Sequence, residues 1–376
     1  MANVDLRTIL REWGLIGLTG FGGPPAHVAL LRRLTVERRR WLSGERFDDA
    51  NAATALLPGP ASTQLAIYTA QLVAGRRGAL VGGLCFIVPA VISVLLLSLV
   101  FLQGSPPTWV LGAGAGAGAA VPAVAAKAGW DIVVPGFARA AGEYRLRYLA
   151  YVFTAGVATA VAGPYVVIVL FALGGFELVW QGHSSRSLAS VVIPFGAVTG
   201  GLGALCWTAF KVGALSYGGG FVIIPLMQAD AVDVNGWMTN AEFLNAVAVG
   251  QVTPGPVVAT VVAVGYAAHG VGGALLAGAV SFAPSFLFVL VGGERFDALR
   301  ANARVRAFLD GAAPAAAGAI LGAALPLAMA LEVSWQWALL AAAAAAFAFT
   351  RRGVVLVIVA AAAAGATIAT AGGALP

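Results

Sequence analysis

The chain has 376 residues, of which 60% are hydrophobic and only 10% are charged, with a net charge of +6 and a mean hydropathy of +0.89. A soluble protein carries about 25% charged residues, so this composition excludes a water-facing surface and predicts an integral membrane protein. Its basic residues are expected in cytoplasmic loops, and no basic, aromatic-interleaved surface for nucleic acid is present.

The first apolar run is interrupted by FGGPPAH at 21–27. Asp5 and Glu12 lie among its arginines, which is not typical of a cleaved signal peptide. Residues 32–46 contain six arginines and predict a cytoplasmic loop. Because arginines flank the glycine pair on both sides, the segment is either a broken hairpin or a single span with an outside amino terminus.

The next apolar segment contains a proline–glycine–proline triplet, in LPGPASTQ at 57–64. Proline breaks a helix but suits the first position of a new one. Arg76 and Arg77 follow, so we expect 48–74 to enter the membrane and return on the same side. The triplet is then the tip of a re-entrant hairpin, and 79–102 is long enough to span.

The middle of the chain divides it into two parts. Residues 127–147 are basic and predicted to be cytoplasmic. The hydrophilic stretch 181–187 predicts a link between an amino-terminal part, 1–180, and a carboxy-terminal part, 188–376.

The second part repeats features of the first at a constant offset of 196 residues, from Pro58 to Pro254. The same offset relates FGG at 21–23 to YGG at 217–219, Trp41 to Trp237, Phe47 to Phe243, and Phe86 to Phe282. The loop 228–242, however, has three acids and no lysine or arginine, so it is predicted to lie outside. The sequence therefore predicts an all-α polytopic membrane protein with two inverted-topology repeats and Gly/Pro-broken re-entrant helical hairpins, as in many secondary transporters.

The two tips form the predicted binding site. Helix N-termini attract anions through their free N–H groups and the helix dipole, so the tips are expected to hold an anionic substrate near the midplane. The predicted binding residues are Gly22, Gly23, Pro24, His27, Pro58, Gly59, Pro60, Ser62, Thr63, Gln64, Lys211, Tyr217, Gly218, Gly219, Gly220, Gln251, Thr253, Pro254, Gly255 and Pro256. The alternative is that the glycines and prolines are packing kinks and the polar groups are ordinary helix caps.

Charged residues near the hairpins have two interpretations each. Lys211 either balances the charge of an anion or extends to the interface. Asp48, Asp230 and Glu242 are candidates for carrying protons, with solvated loop ends as the alternative. Arg295 and the arginines that follow it, Arg300, Arg304 and Arg306, are interpreted as markers of the cytoplasmic side.

Neither a cofactor nor a metal site is predicted. Two widely spaced cysteines and three scattered histidines form no disulfide or ligand pattern. No phosphate-binding loop, GxSxG or HExxH motif is present, so the sequence predicts neither an enzyme nor an ATP-driven pump.

Several motifs resemble the chromate ion transporter family in its long, two-domain form. FGGPPAHVALLRR, RRRWLSGERFDDA and LLPGPASTQ are similar to its first domain, and SYGGGFVIIPLM, GWMTNAEFLNAVAVGQVTPGP and GYAAHGVGGALLAG to its second. The resemblance covers about 1–105 and 205–295, and departs from the family pattern in the second proline of GGPPAH. It implies export of chromate, CrO₄²⁻, across the cytoplasmic membrane, chromate resistance, and sulfate as a competing isostere.

The charge of chromate also favours export. Each elementary charge is worth about 2.3 kcal/mol per 100 mV, so a dianion gains about twice that on leaving an inside-negative cell. The alternatives are an importer of sulfate or another oxyanion, a membrane-embedded chromate reductase, and a structural or regulatory subunit. The sequence leaves the number of spans and the oligomeric state open, with a homodimer as one alternative.

Overall fold

The computed structural model describes residues 4–102, 106–162, 165–182, 200–216, 220–293, 296, 301–350 and 352–376, and these residues form helices and turns but no strand. The predicted all-α class is confirmed. The first half contains α1 (Leu6–Thr19), α2 (Gly23–Arg32), α3 (Gly44–Ala55), α4 (Ala61–Phe101), α5 (Thr108–Arg139), α6 (Tyr144–Ala162) and α7 (Val166–Trp180). The second half contains α8 (Gly201–Leu215), α9 (Ile224–Gln228), α10 (Asn240–Val252), α11 (Thr260–Gly292), α12 (Ala303–Met329), α13 (Ser334–Phe349) and α14 (Val354–Thr370).

Four of the described helices are long and apolar enough to cross a membrane: α4, α5, α12, and α11 with the 3₁₀ turn Val257–Ala259 before it. On one side α4 exposes a large apolar side chain at every fourth position, namely Leu80, Leu84, Val88, Ile92 and Leu96. Its other side buries Phe86, Ala90 and Val94. A helix with this pattern has lipid on one face and protein on the other, and the chain is a multi-pass membrane protein.

Each long helix that follows a PGP triplet is broken after its first few turns. The break in α4 lies at Ala74 and Gly75, where Gly75 has φ 65° and ψ −165°. The break in α11 lies at His269 and Gly270, where Gly270 has φ 61° and ψ −153°. About 20 residues are needed to cross the bilayer, so the pieces before the breaks are too short to span and the pieces after them are long enough. The re-entrant path through the membrane stays a prediction.

The loops before the two PGP hairpins have matching local geometry. Each contains a π-helical segment, Arg33–Arg38 in the first half and Ala229–Val234 in the second. Each then reaches a hydroxyl residue, Ser43 or Thr239, that caps the next helix by accepting the N–H group three residues later. Both pairs are separated by the offset of 196 residues that relates the two triplets. The inverted orientation of the two halves stays a prediction.

The chain folds back after α1. Trp41, beyond α2, stacks on Trp13 of α1 with ring centroids 6.2 Å apart and an angle of 12° between the rings. Arg39 forms an ion pair with Glu12 of α1. Of the two alternatives for FGGPPAH, this geometry favours the broken hairpin over the single span.

One long helix of each half, α5 in the first and α12 in the second, packs mainly against helices of the other half. The first-half helix α5 packs along α13 and α14, and the second-half helix α12 packs along α6 and α7. Glycines allow this close approach: a Cβ added at Gly116 would lie 2.2 Å from the Ala361 carbonyl oxygen, and one added at Gly318 would lie 2.0 Å from that of Val152. The halves therefore interlock. Most of the predicted link 181–187 lies outside the described residues, and the boundary there stays a prediction.

Candidate functional site

The first PGP triplet forms a tight turn between α3 and α4. Gly59 has φ 113°, a left-handed conformation that residues with a side chain rarely adopt. The carbonyl oxygen of Pro60 accepts the N–H groups of Thr63 and Gln64 at 2.9 and 3.0 Å and so starts α4. The Gln64 side-chain amide donates to the carbonyl oxygen of Pro58 at 2.7 Å. The turn therefore places the first polar side chains of α4 at the tip.

The second triplet forms a similar turn after α10. Gly255 has φ 99°, and Pro256 directly precedes the 3₁₀ turn that leads into α11. The hydroxyl of Thr253 donates to the Gly250 carbonyl oxygen at 3.3 Å. The whole second triplet is buried, whereas Pro58 of the first tip is exposed. The two tips thus share their backbone conformation, but only the first has an exposed residue in its triplet.

A buried histidine joins the turn after α1 to the first tip. The Nε2 atom of His27 lies 2.9 Å from the Gly20 carbonyl oxygen, and its Nδ1 atom lies 3.2 Å from Ser62 Oγ. The contact with the carbonyl requires a proton on Nε2, so in the neutral ring Nδ1 accepts the Ser62 hydroxyl proton. The ring also meets Phe86 edge-on, with centroids 5.0 Å apart. His27 therefore orients Ser62.

A glycine turn follows α1 in the first half and α8 in the second. The structure describes all of the first turn but only part of the second. Gly22 and Gly23 have φ 104° and 73°, and Pro24 lies in the first turn of α2. Their predicted counterparts Tyr217, Gly218 and Gly219 lie outside the described residues. Gly220, with φ 98°, precedes the 3₁₀ turn Phe221–Ile223.

The turns of the two halves meet. The carbonyl oxygen of Gly20 accepts the N–H group of Gly255 at 3.0 Å, which links the first glycine turn to the second tip. Gly59 of the first tip faces α8, where an added Cβ would lie 3.1 Å from the Gly213 carbonyl oxygen. We call this meeting point the central cluster, which comprises residues 20–27, 58–64, 213–216, 220 and 251–258.

Several buried polar atoms of the central cluster have no hydrogen-bond partner among the described residues. They are Thr63 Oγ1, Gln64 Oε1, Ser216 Oγ and Gln251 Nε2. Buried polar groups are nearly always paired, so each of these atoms can take a further partner. Four other described atoms, of Gln71, Trp207, Asn245 and Ser285, are also unpaired but lie outside the central cluster. The sequence predicted three of the four cluster residues and missed Ser216, which directly precedes the YGGG motif.

Lys211 is engaged in an ion pair. Its Nζ atom lies 2.5 Å from Asp230 Oδ2, and both side chains are largely buried, at 8% and 14% exposure. The same carboxylate accepts the hydroxyl of Thr208 at 3.0 Å. Two residues predicted for separate roles, in anion binding and in proton transfer, are therefore partners in this structure.

The other two predicted coupling acids are held by local contacts. Asp48 pairs with Arg32, and both side chains are exposed. Glu242 caps α10, where its carboxylate accepts the N–H group of Thr239 at 2.7 Å. Both contacts match the alternative interpretation of these acids as loop-end residues, and their role in proton transfer stays a prediction.

Two buried acids were missed by the sequence reasoning. Glu12 pairs with Arg38 and Arg39. Glu177, fully buried on α7, accepts from two residues of α6, Arg147 Nε at 3.1 Å and the Tyr151 hydroxyl at 2.5 Å. A signal for both was present, because an acid inside an apolar run needs a partner.

Comparison with known proteins decides the family. The model of the chromate transporter family matches residues 7–176 and 203–366. The chain belongs to this family. A chromate transport protein of Cupriavidus metallidurans is 30% identical over 89% of this chain and 86% of its own length. A probable chromate transport protein of Synechococcus elongatus is 28% identical over 86% and 84%, and a chromate transport protein of Pseudomonas aeruginosa is 30% identical over 83% and 78%.

No solved structure matches the chain significantly. The resemblance stated from the motifs is confirmed by the family match, which extends well beyond them into the regions of α5–α7 and of α12–α14.

Proposed function

We propose that this protein exports chromate across the cytoplasmic membrane and so gives chromate resistance. The observation that carries the proposal is the central cluster, where unpaired buried polar atoms lie between turns of both halves. Two of the relatives reported above are named chromate transport proteins, and chromate would bring four acceptor oxygens and two negative charges to such a cluster.

The oxyanion is held between the two tips. Chromate accepts hydrogen bonds and donates none, so the cluster must supply donors. The Thr63 hydroxyl and the Gln251 amide have no partner among the described residues and can donate to it. The start of α4, after Pro60, adds the positive end of a helix dipole. While the His27 ring is neutral, the Ser62 hydroxyl donates to it, and this contact positions the turn.

The site binds the anion weakly enough to release it. Lys211 already has Asp230 as its counter-ion, so hydrogen bonds and helix dipoles carry most of the attraction. A transport site must bind strongly enough to admit the anion and weakly enough to let it leave. A fully charged clamp would hold a dianion too tightly for turnover.

The membrane orientation follows from the charges of the loops. The arginine-rich loop 32–46 lies in the cytoplasm, and the acidic loop 228–242 lies outside. The two tips then reach the midplane from opposite sides, and movement of one half against the other alternates access to the site. The membrane potential drives a dianion outward.

The test is chromate uptake into everted membrane vesicles, whose cytoplasmic face is outside. The key variants are Thr63→Val, which keeps the size of the side chain but removes the donor, and Gln251→Leu. A hydrogen bond to a charged group is worth about 1.5–3 kcal/mol, so we expect each variant to reduce chromate uptake at low concentration about tenfold or more. The control is Thr367→Val, on the exposed face of α14.

The outcomes distinguish export from its alternatives. Uptake above empty vesicles that is inhibited by sulfate and lost in Thr63→Val supports the proposal. If everted vesicles take up no chromate while right-side-out vesicles accumulate sulfate, the chain is an oxyanion importer and the export proposal is wrong.

A further inference from the structure

We propose that two adjoining cavities form the cytoplasmic access path to the first tip, and that Arg306 at its mouth and Arg304 on its inner wall draw the oxyanion in. The inference rests on the function proposed above and adds a route and two positioning residues to it. The sequence had interpreted both arginines only as markers of membrane orientation.

The inner cavity reaches the tip itself. Its volume is about 420 Å³, and it lies between α7, the start of α12, the end of α8 and the first tip. Pro58, the exposed residue of the first PGP triplet, and Leu215 line this cavity and also belong to the central cluster. The walls are mainly apolar side chains of α7 and α12, including Leu170 and Phe308.

The outer cavity continues the inner one. Its volume is about 370 Å³, and Leu56 and Leu309 line both cavities, so the two adjoin at these side chains. The outer lining also contains Gln181, Arg306 and Asp310 and is therefore more polar. The path thus runs from the polar outer cavity, which we call the mouth, to the first tip. Between them it passes Leu56 and Leu309, which we call the waist.

The described residues that line the two cavities together carry a net positive charge. Arg304 lines the inner cavity and Arg306 the outer one, and both are exposed. Among the residues that the structure describes, neither arginine belongs to an ion pair. Asp310 is the one acid among the described lining residues, and its carboxylate accepts the Gln181 amide at 3.2 Å. Two guanidinium groups against one carboxylate attract an anion, and such fields raise association rates about 10- to 1,000-fold.

The apolar walls suit passage of a hydrated anion. A water molecule occupies about 30 Å³ of liquid, so a cavity of this size holds an oxyanion with part of its hydration shell. Apart from Asn302 and Arg304, the residues lining the inner cavity have apolar side chains, so few groups hold the anion between the mouth and the tip. A lipid chain is the other occupant that apolar walls would accept, and it would close the path to water.

The first experiment tests whether the path is open to water, without using chromate. Leu309→Cys, in a background without Cys85 and Cys206, is exposed in everted vesicles to a membrane-impermeant, negatively charged thiol reagent. The matched control is Leu325→Cys, on the same helix but on its exposed apolar side. We expect the cysteine at 309 to react at least about tenfold faster than that at 325, and more slowly when Arg304 and Arg306 are glutamine. Equal rates at 309 and 325 would overturn the proposal and indicate a lipid-filled cavity.

The second experiment tests the path in transport. We expect Leu309→Trp to block chromate uptake and Leu309→Ala to retain it, with Leu325→Trp as the control at equal membrane levels. Arg304→Gln with Arg306→Gln should raise the KM for chromate about tenfold at low salt with little change in maximal rate, and lysine at both positions should restore it. Arg77→Gln, an exposed arginine outside the path, is the matched control.

The two proposals fail in different ways. Wild-type uptake with an unaffected Leu309→Trp, or with a double glutamine variant that behaves like Arg77→Gln, overturns the access path alone. A reactive cysteine at 309 in vesicles whose wild-type protein takes up no chromate overturns the proposed function and leaves the cavity as a water-accessible path.

Discussion

The N–H group of Gly255 donates to the carbonyl oxygen of Gly20 at 3.0 Å, and this bond ties the tip of the second half to the first turn of the first half. The same carbonyl oxygen accepts from His27, whose other ring nitrogen contacts Ser62. One backbone oxygen therefore connects both tips.

Alanine at position 255 is expected to destabilise the protein and to reduce chromate uptake. The φ of 99° is unfavourable for any side chain by about 1–2 kcal/mol, and the added Cβ would lie 2.8 Å from that of Ala90. The control is Gly372→Ala, where φ is 85° but no atom lies within 4 Å of an added Cβ. Thermal unfolding in detergent micelles measures the stability, and an equal loss in both variants would mean that contact with Ala90 has no effect.

Alanine at position 27 should separate the glycine turn from the first tip. The change removes two buried hydrogen bonds and leaves the Gly20 carbonyl oxygen and the Ser62 hydroxyl with fewer partners, at a cost of about 1–3 kcal/mol. His269→Ala is the control, because His269 lies exposed at the break in α11. Chromate uptake and thermal unfolding are both measured, and wild-type values for His27→Ala would contradict its positioning role.

Methionine at position 211 should destabilise the protein by about 3–5 kcal/mol, because it leaves the Asp230 carboxylate buried without its counter-ion. Adding Asp230→Asn should recover most of the loss, since no buried charge then remains. Asp233→Asn, at an exposed neighbouring acid, serves as the control for the loss of one negative charge. A double variant as unstable as Lys211→Met alone would mean that the ion pair is not the source of the effect.

Single cysteines at positions 43 and 239 should react with an impermeant thiol reagent from opposite sides of the membrane. Both residues cap equivalent helices after matching π-helical segments, so the two sites have similar local structure and similar intrinsic reactivity. The background lacks Cys85 and Cys206, and intact and everted vesicles are compared. Labelling of both sites from one side would refute the inverted orientation.

The sequence predicted the parts of the fold that depend on local chemistry. Gly59 and Gly255 could be identified because glycine between two prolines favours a turn that breaks a helix. Ser43 and Thr239 lie at the same offset as the two triplets, and their role as helix caps comes from the structure and not from the sequence.

Contacts between distant elements could not be predicted in this way. The sequence marked Lys211 and Asp230 as separate candidates, since nothing in the spacing of 19 residues brings them together. The partners of Glu12 and the waist at Leu309 likewise depend on how helices from different regions pack. Periodicity reports which face of a helix is apolar, but not which helix covers it.

The exchange of α5 and α12 has a consequence for biosynthesis. The glycine face of α5 is made early, yet Gly112 and Gly116 pack against Ala361 and Gly365 of α14, the last helix of the chain. The first half therefore cannot complete its packing while the ribosome is still translating the second. Loss of α14 would leave the glycine face of α5 without one of its partners.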